Sequence, residues 1–107
     1  MTRLPQGLVA YKRTPIFTET TVPVGLLKDH STKKGTWGLI HVEEGGLWYF
    51  ITDPERPASH DILSPDWEMA VVEPTIVHRV EPMGRVRFWV EFWRAKAADS
   101  TQELPTP

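Results

Sequence analysis

The chain has 107 residues, among them 10 prolines, 7 glycines and no cysteine, and its formal net charge is −2. This length allows one domain with one core, and the absence of cysteine excludes disulfides, thiolate catalysis and zinc–thiolate sites. The weak negative charge gives no overall electrostatic reason to bind nucleic acid or an anionic membrane, so we expect neither partner. Because the prolines are spread along the chain and interrupt helices, we expect an all-β domain.

The first half of the sequence predicts three strands. Residues 7–12 form a short apolar run, and residues 16–24 combine proline with β-branched residues, which is typical of an edge segment or an extended connection. The runs 36–43 and 47–52 are rich in aromatic and β-branched side chains. Because residues 44–46 between them read Glu-Gly-Gly, we expect a β-hairpin there.

The second half predicts a loop, three further strands and a tail. Residues 53–61 are polar and rich in proline, so we expect a long surface loop. Strands are predicted at 69–72, 76–80 and 86–93, separated by turn signals. Residues 94–107 are expected to form a short helix followed by disorder. Short strands at this spacing indicate a sandwich or a small barrel.

The last predicted strand has two bulky faces. Strand alternation places four apolar residues on one face, Val86, Phe88, Val90 and Phe92. The other face carries Arg87, Trp89, Glu91 and Trp93. We interpret the apolar face as the core, whereas the opposite arrangement would place Trp89 and Glu91 in a pocket.

The N-terminal residues and the hydropathy pattern bear on the location of the protein. Residues 1–7 lack the apolar core of a signal peptide, and no run approaches the roughly 20 apolar residues of a membrane-spanning helix. We therefore expect a cytoplasmic protein.

Two histidines lie where a predicted strand meets a turn. The segment 71–80 resembles the second motif of the cupin superfamily, in which a proline turn, here Pro74, precedes a histidine, here His78, and places its imidazole inside a small β-barrel. His30 and the two residues after it resemble the start of the first cupin motif. Only the first histidine of that motif is present, and Trp37 lies near the place of its acid.

A closer resemblance covers about residues 8–94. The segments 30–38, 72–74, 78–81 and 88–93 look like the cupin-like domain of the tellurite-resistance protein B family. The resemblance implies a cupin-like double-stranded β-helix, a small barrel or jelly roll, over residues 1–94, with residues 95–107 as a C-terminal tail. In that family the domain occurs alone or ahead of an S-adenosylmethionine-dependent methyltransferase domain, for which this chain is too short. The resemblance therefore implies a functional link to such an enzyme, but no activity of the small domain itself.

Our first hypothesis is a binding module that contributes to tellurite tolerance. It would hold a small molecule or an oxyanion near His30 and His78, where neighbouring lysines supply positive charge and tryptophans supply an apolar wall. The candidate ligand-binding residues are His30, Thr32, Lys34, Trp37, His78 and Glu91.

The alternative is a metal-dependent cupin enzyme. A typical cupin metal is held by three histidines and a carboxylate, and a divalent ion bound by His30 and His78 would need a further ligand from His41, Glu43 or Glu91. The sequence leaves open whether the domain is an enzyme and fixes no cofactor. A third hypothesis is that the domain mainly pairs with itself, as a homodimer, or with another partner through an exposed edge strand.

Overall fold

The computed structural model describes residues 3–66 and 69–96. These residues form six strands and one short helix: β1 Leu8–Arg13, β2 Phe17–Thr18, α1 Val24–Leu27, β3 Trp37–Ile51, β4 Ser59–Leu63, β5 Ala70–Val72 and β6 His78–Ala95. The prediction of an all-β protein is confirmed. In the part of the chain described, no helix is long and apolar enough to cross a membrane.

All six strands belong to one antiparallel sheet. Its main order is β1-β6-β3-β4, with β2 beside β6 and β5 beside β3. The two longest strands, β3 and β6, pair with each other from Trp37 opposite Trp93 to Ile51 opposite His78. This long pair forms the centre of the sheet, and it determines which residues face inward.

The hairpin predicted within β3 and the break predicted within β6 are both wrong. Residues 44–46 and 81–84 carry the glycine and proline that suggest turns, but the two strands run through them. The two segments lie together, with Gly45 opposite Val86, and the pairing register shifts on either side of Gly45. Pairing with a distant strand satisfies the backbone groups, so the irregular residues become β-bulges that bend the sheet rather than turns that end it.

Gly45 allows this bend. Its φ is 80°, and a Cβ at this position would lie 1.9 Å from the carbonyl oxygen of Arg85. The extra residues also exchange the two faces of the strand: Ile40 is buried in the core before the bulge, and Leu47 and Tyr49 are buried after it. One strand thus contributes even-numbered residues to the core at its start and odd-numbered residues at its end.

The core confirms which face of the last predicted strand is internal. Phe88 and Val86 are completely buried, and Val90 and Phe92 pack in the same cluster. The remaining buried members of the core come from β3, β4, β5 and the start of β6: Ile40, Leu47, Tyr49, Leu63, Val72 and Val80.

The remaining elements differ from the predictions at three places. Residues 59–61 were expected in a loop but pair with the aromatic end of β3 as the start of β4. The short helix α1 begins at Val24, the last residue of the segment expected to be extended, and continues to Leu27, where no element was predicted. Arg94 and Ala95 continue β6, while the rest of the predicted tail, residues 97–107, lies outside the described residues. The bent antiparallel sheet is compatible with a jelly roll, which stays a prediction, as does the domain boundary.

Candidate ligand-binding cavity

A cavity of about 470 Å³ lies between the inner face of the sheet and the segment around α1. Most of its wall is apolar, and this part includes Phe17, Leu26, Ile40, Val72, Phe88 and Phe92. Two histidines, His30 and His78, belong to this wall and are its only imidazoles among the described residues. A largely apolar cavity with a few convergent polar groups is the usual form of a small-molecule site.

The two histidines are joined through their backbones. The N–H of His30 donates to the carbonyl of His78 at 2.9 Å, and the N–H of His78 donates back to the carbonyl of His30 at 2.8 Å. Their rings meet edge to face with centroids 4.2 Å apart. This isolated bridge brings together two residues 48 positions apart in the sequence (78 minus 30) and fixes the distance between their side chains.

Each imidazole ring is oriented by a hydrogen bond to the main chain. Nδ1 of His30 lies 2.8 Å from the carbonyl oxygen of Lys28, and Nδ1 of His78 lies 2.8 Å from that of Ile76. A carbonyl oxygen only accepts, so in both rings Nδ1 carries the hydrogen. In the neutral rings Nε2 is then a hydrogen-bond acceptor, and neither Nε2 has a partner among the described residues.

Burial keeps His78 neutral. The residue is 3% exposed, and this burial lowers the pKa of His78 below its usual 6.5. The hydrogen bond to Ile76 opposes this effect, and the neighbouring His30 adds to it. At neutral pH His78 is therefore uncharged, and Nε2 of its imidazole carries the lone pair.

The turn before His78 is held by two contacts. Thr75 has a φ of 66°, which is unusual for a β-branched residue, and its N–H donates to the carbonyl of Thr32 at 3.0 Å. Closer to the histidine, the buried Asp53 accepts hydrogen bonds from the N–H groups of Glu55 and Val77, both at 2.8 Å. These two bonds lower the pKa of Asp53. The turn before His78 is thus hydrogen-bonded to the loop that contains Thr32 and to the loop that contains Asp53.

Three of the six predicted ligand-binding residues line this cavity: His30, Thr32 and His78. The hydroxyl of Thr32 is already committed, since it donates to the carbonyl of Thr36 at 2.7 Å. Lys34 is exposed and is not part of the wall, which instead includes its neighbour Lys33.

Trp37 and Glu91 lie on the other face of the sheet. Gly38 and Phe92 line the cavity, and because neighbouring residues of a strand point to opposite faces, Trp37 and Glu91 point away from it. The structure therefore does not bring these two predicted residues together with the histidine pair.

The outer face holds its own polar network. Oε1 of Glu91 lies 3.2 Å from Nε2 of His41 and accepts the indole N–H of Trp93 at 3.1 Å. The His41 ring stacks on Trp89 at 3.9 Å between centroids, and the Trp89 indole N–H donates to Glu43 at 2.9 Å. The three side chains considered as further metal ligands, His41, Glu43 and Glu91, are thus engaged here.

The residues present do not fit a resident cupin metal. Among residues 3–66 and 69–96, no group of three His, Asp or Glu side chains is placed to hold an ion. His30 and His78 supply two nitrogen donors, whereas the typical cupin set has four ligands. We therefore derive no chemistry through a metal.

Comparison with known proteins identifies the family. A family model described as the TehB-like domain matches residues 12–90. The chain belongs to the TehB-like domain family. This family is linked to tellurite resistance.

Two curated relatives of this TehB-like domain come from Haemophilus influenzae. Both are described as "Probable S-adenosyl-L-methionine-dependent methyltransferase TehB", and the chain is 35% identical to the protein of strain Rd and 34% identical to that of strain 10810, each over 77 residues. The matches cover 71% of this chain and 27% of each relative. The TehB-like domain thus spans 27% of the length of these relatives.

Two solved structures resemble the TehB-like domain. The crystal structure of TehB from Haemophilus influenzae superposes with a TM-score of 0.78 at 28% identity, over 84% of this chain and 32% of that one. The crystal structure of a protein from Escherichia coli strain K12 superposes with a TM-score of 0.79 at 23% identity, over 90% of this chain and 99% of that one. The second similarity shows the fold alone.

Sequence reasoning missed two residues of the TehB-like site, Lys12 and Asp53. Lys12 lines the cavity, and Asp53 holds the turn before His78. An aspartate followed by proline is typical of turns in which the carboxylate bonds to the N–H two residues on, so the contact with Glu55 had a local signal. No local signal indicates the contact with Val77, which is 24 residues away.

Proposed function

We propose that this TehB-like domain is a binding module whose cavity holds a small molecule against His30 and His78. The observation that carries the proposal is the pair of oriented imidazoles in the wall of a cavity of about 470 Å³. An apolar cavity of about 150 Å³ is enough to bind benzene, so a ligand with one or two rings has room here.

The chemistry of the histidine pair favours a ligand that donates a hydrogen bond. Both Nδ1 atoms donate to carbonyl oxygens, so Nε2 is the acceptor atom of each ring in its neutral form, and His78 is neutral. Beside the buried His78, away from the exposed lysines of the wall, an oxyanion without a proton would meet a lone pair, and leaving a charge unpaired there is costly. An O–H or N–H group would instead be satisfied, so the geometry favours a hydroxyl or amine over the simple oxyanion considered from the sequence.

A functional link to a methyltransferase is part of this proposal. The curated relatives are described as probable methyltransferases, and this chain corresponds to only part of each. We infer that the domain contributes small-molecule binding in tellurite resistance, while methyl transfer belongs to another domain or protein.

The homodimer expected from the sequence belongs to this proposal as well. β1 and β4 lie at the two ends of the main strand order, and the residues of both are largely exposed. Unpaired strand edges of this kind can pair with a second copy. Light scattering over a range of protein concentrations would test it, and a constant monomer mass would contradict it.

Phenol and anisole provide a matched test of the cavity. The two molecules share a ring, but the methyl ether of anisole has no hydrogen to donate. We expect amide NMR shifts at cavity residues with phenol and roughly three- to tenfold weaker binding of anisole, the usual effect of one hydrogen bond. His30→Phe and His78→Phe should remove the preference, whereas Glu91→Gln on the opposite face should keep it.

Two results would overturn the proposal. The first is the absence of shifts at cavity residues with either molecule. The second is an unchanged phenol preference in both histidine variants, provided that their NMR spectra show folded protein. Calorimetry with sulfate, an oxyanion that carries no proton at neutral pH, completes the test: tight sulfate binding that requires both histidines would contradict the preference for a hydrogen-bond donor.

A further inference from the structure

The cavity has a charge bias that the histidine pair does not explain. Lys12 and Lys33 both line it, both are exposed, and neither forms an ion pair with any described residue. Among the described residues that line the cavity, none is acidic. In a chain with 14 acidic and 12 basic side chains, two cations and no carboxylate is an uneven local distribution.

A β-bulge directs Lys12 toward the cavity. Ala10 pairs with Trp93, but Lys12 pairs with Phe92, so β1 carries one extra residue, Tyr11, at this point. The shift places Lys12 beside Phe92, which is a wall residue. Its neighbour Arg13 points to the opposite face, where its guanidinium lies 3.9 Å from the centre of the Trp89 ring. Bulges are common next to functional sites because they redirect a side chain in this way.

The polar groups of the cavity therefore differ with depth. His78 is buried, whereas Lys12 and Lys33 are exposed and supply positive charge, so we take the side of the two lysines as the entrance. Apolar side chains such as Phe88 and Val80 form the wall as well. A ligand that matches all three regions has a hydrogen-bond donor at one end, an apolar body and an anionic group at the other end.

We propose that the cavity binds a small carboxylic acid with an apolar body, whose carboxylate lies at the entrance between Lys12 and Lys33. This inference rests on the proposed function and specifies the class of its ligand. A carboxylate fits better than an inorganic oxyanion because only the charged end of the molecule then stays at the solvated entrance, while its apolar part covers the apolar wall.

Three probes with the same phenol ring test the charge preference. These are 4-hydroxyphenylacetate, the neutral 4-hydroxyphenylacetamide and the cationic tyramine, each titrated into the full chain by calorimetry at low and high salt. We expect the carboxylate to bind roughly tenfold more tightly than the amide at low salt, with tyramine weakest. Raising the salt concentration should reduce the difference, because entrance charges are screened.

Lysine variants locate the effect. The double variant Lys12→Met with Lys33→Met should bind the carboxylate and the amide equally well. Lys34→Met is the matched control, since it removes the same charge from an exposed residue outside the wall, and it should keep the preference.

The outcomes separate this inference from the proposed function. Equal affinity for the three probes, with binding still weakened by His78→Phe, would overturn the carboxylate inference and leave the binding module intact. A charge preference that survives the double lysine variant would also overturn it. The absence of binding by all three probes would overturn both proposals.

Discussion

The carboxylate of Asp53 accepts the backbone N–H of Val77 at 2.8 Å, one residue before His78. Its other oxygen accepts the N–H of Glu55 at the same distance. Asp53 therefore joins the loop after β3 to the segment that presents His78 to the cavity.

Replacing Asp53 with alanine should destabilise the fold and loosen the turn before His78. The change leaves the N–H groups of Val77 and Glu55 without their acceptor, and such groups are costly to leave unpaired. We expect a clearly lower urea midpoint for Asp53→Ala. Thr52→Val is the matched control, because it removes an exposed hydrogen bond from Thr52 to Asp29, and it should have a much smaller effect.

The pH dependence of stability provides a second test of Asp53. Because the pKa of Asp53 is lowered in the fold, its contribution to stability is present above its unfolded value, near 3.8, and is lost as the pH falls through the folded value. The free energy of unfolding should therefore decrease less steeply at acidic pH in Asp53→Ala than in the wild type. If Asp53→Ala and Thr52→Val had the same urea midpoint and the same loss of stability at acidic pH, the role of Asp53 in holding the turn before His78 would be contradicted.

His78 should also make the stability depend on pH, at higher pH values than Asp53 does. Its pKa is lowered from 6.5 chiefly by burial, so the unfolded chain takes up a proton near pH 6.5 that the folded chain does not. The unfolding free energy should therefore fall as the pH drops below about 6.5, by at most about 1.4 kcal/mol per pH unit, until the folded pKa is reached.

Urea unfolding between pH 7.5 and 5 measures this effect in His78→Gln and in His60→Gln. The first variant should lose the slope that His78 contributes. The second should retain it, because His60 is exposed. A slope that is the same in wild type and His78→Gln would show that protonation of His78 does not oppose folding.

Gly45→Ala should be far more damaging than Gly84→Ala. Both glycines have positive φ, 80° and 84°, so each substitution costs about 1–2 kcal/mol of backbone strain. At Gly45 the new Cβ would meet the carbonyl oxygen of Arg85, whereas at Gly84 no atom of the described residues lies within 4 Å of it.

Thermal and urea unfolding of the two alanine variants would check this difference. We expect Gly84→Ala to fold with a loss of about 1–2 kcal/mol and Gly45→Ala to lose several kcal/mol or fail to fold. Equal losses would mean that β3 and β6 do not pack against each other at this bulge.

Thr75→Asn should stabilise the protein by about 1 kcal/mol. The φ of 66° lies in the left-handed region, which asparagine tolerates better than a β-branched residue. The N–H bond to Thr32 is a main-chain contact and is unaffected.

Chemical denaturation of Thr75→Asn and Thr75→Val separates the two roles of the side chain, because valine keeps the branching but loses the hydroxyl. Lower stability in both variants would show that the Thr75 hydroxyl, which bonds to Pro74, is the more important feature.

The candidate site was only partly predictable from its local sequence. His78 follows a proline turn, and its motif identified it as a residue that points into the barrel. No such motif supports the prediction of Glu91 as a ligand-binding residue. Glu91 lies on the outer face because Val90 and Phe92 occupy the inner one. Strand alternation allows two arrangements, and only burial selects between them.

Turn signals were least reliable where strands pair over long distances. Glycines in residues 44–46 predicted a hairpin, but the distant segment 81–86 supplies a bulged partner at that point. In the same way, the bulge at Tyr11 directs Lys12 toward the cavity. Each bulge depends on the register of a pairing between residues far apart in the sequence, and no local pattern contains that register.

The all-β class, the alternation of the last strand and the candidate residues His30 and His78 could be predicted from the sequence alone. These features follow from local chemistry: proline interrupts helices, strand residues alternate, and motif spacing identifies a turn. The folded structure was needed to show that the two histidines bridge each other, that Asp53 holds the turn before His78 and that Lys12 lines the cavity. Each of these contacts joins residues at least 24 positions apart in the sequence. They form because burial and antiparallel pairing bring distant segments together.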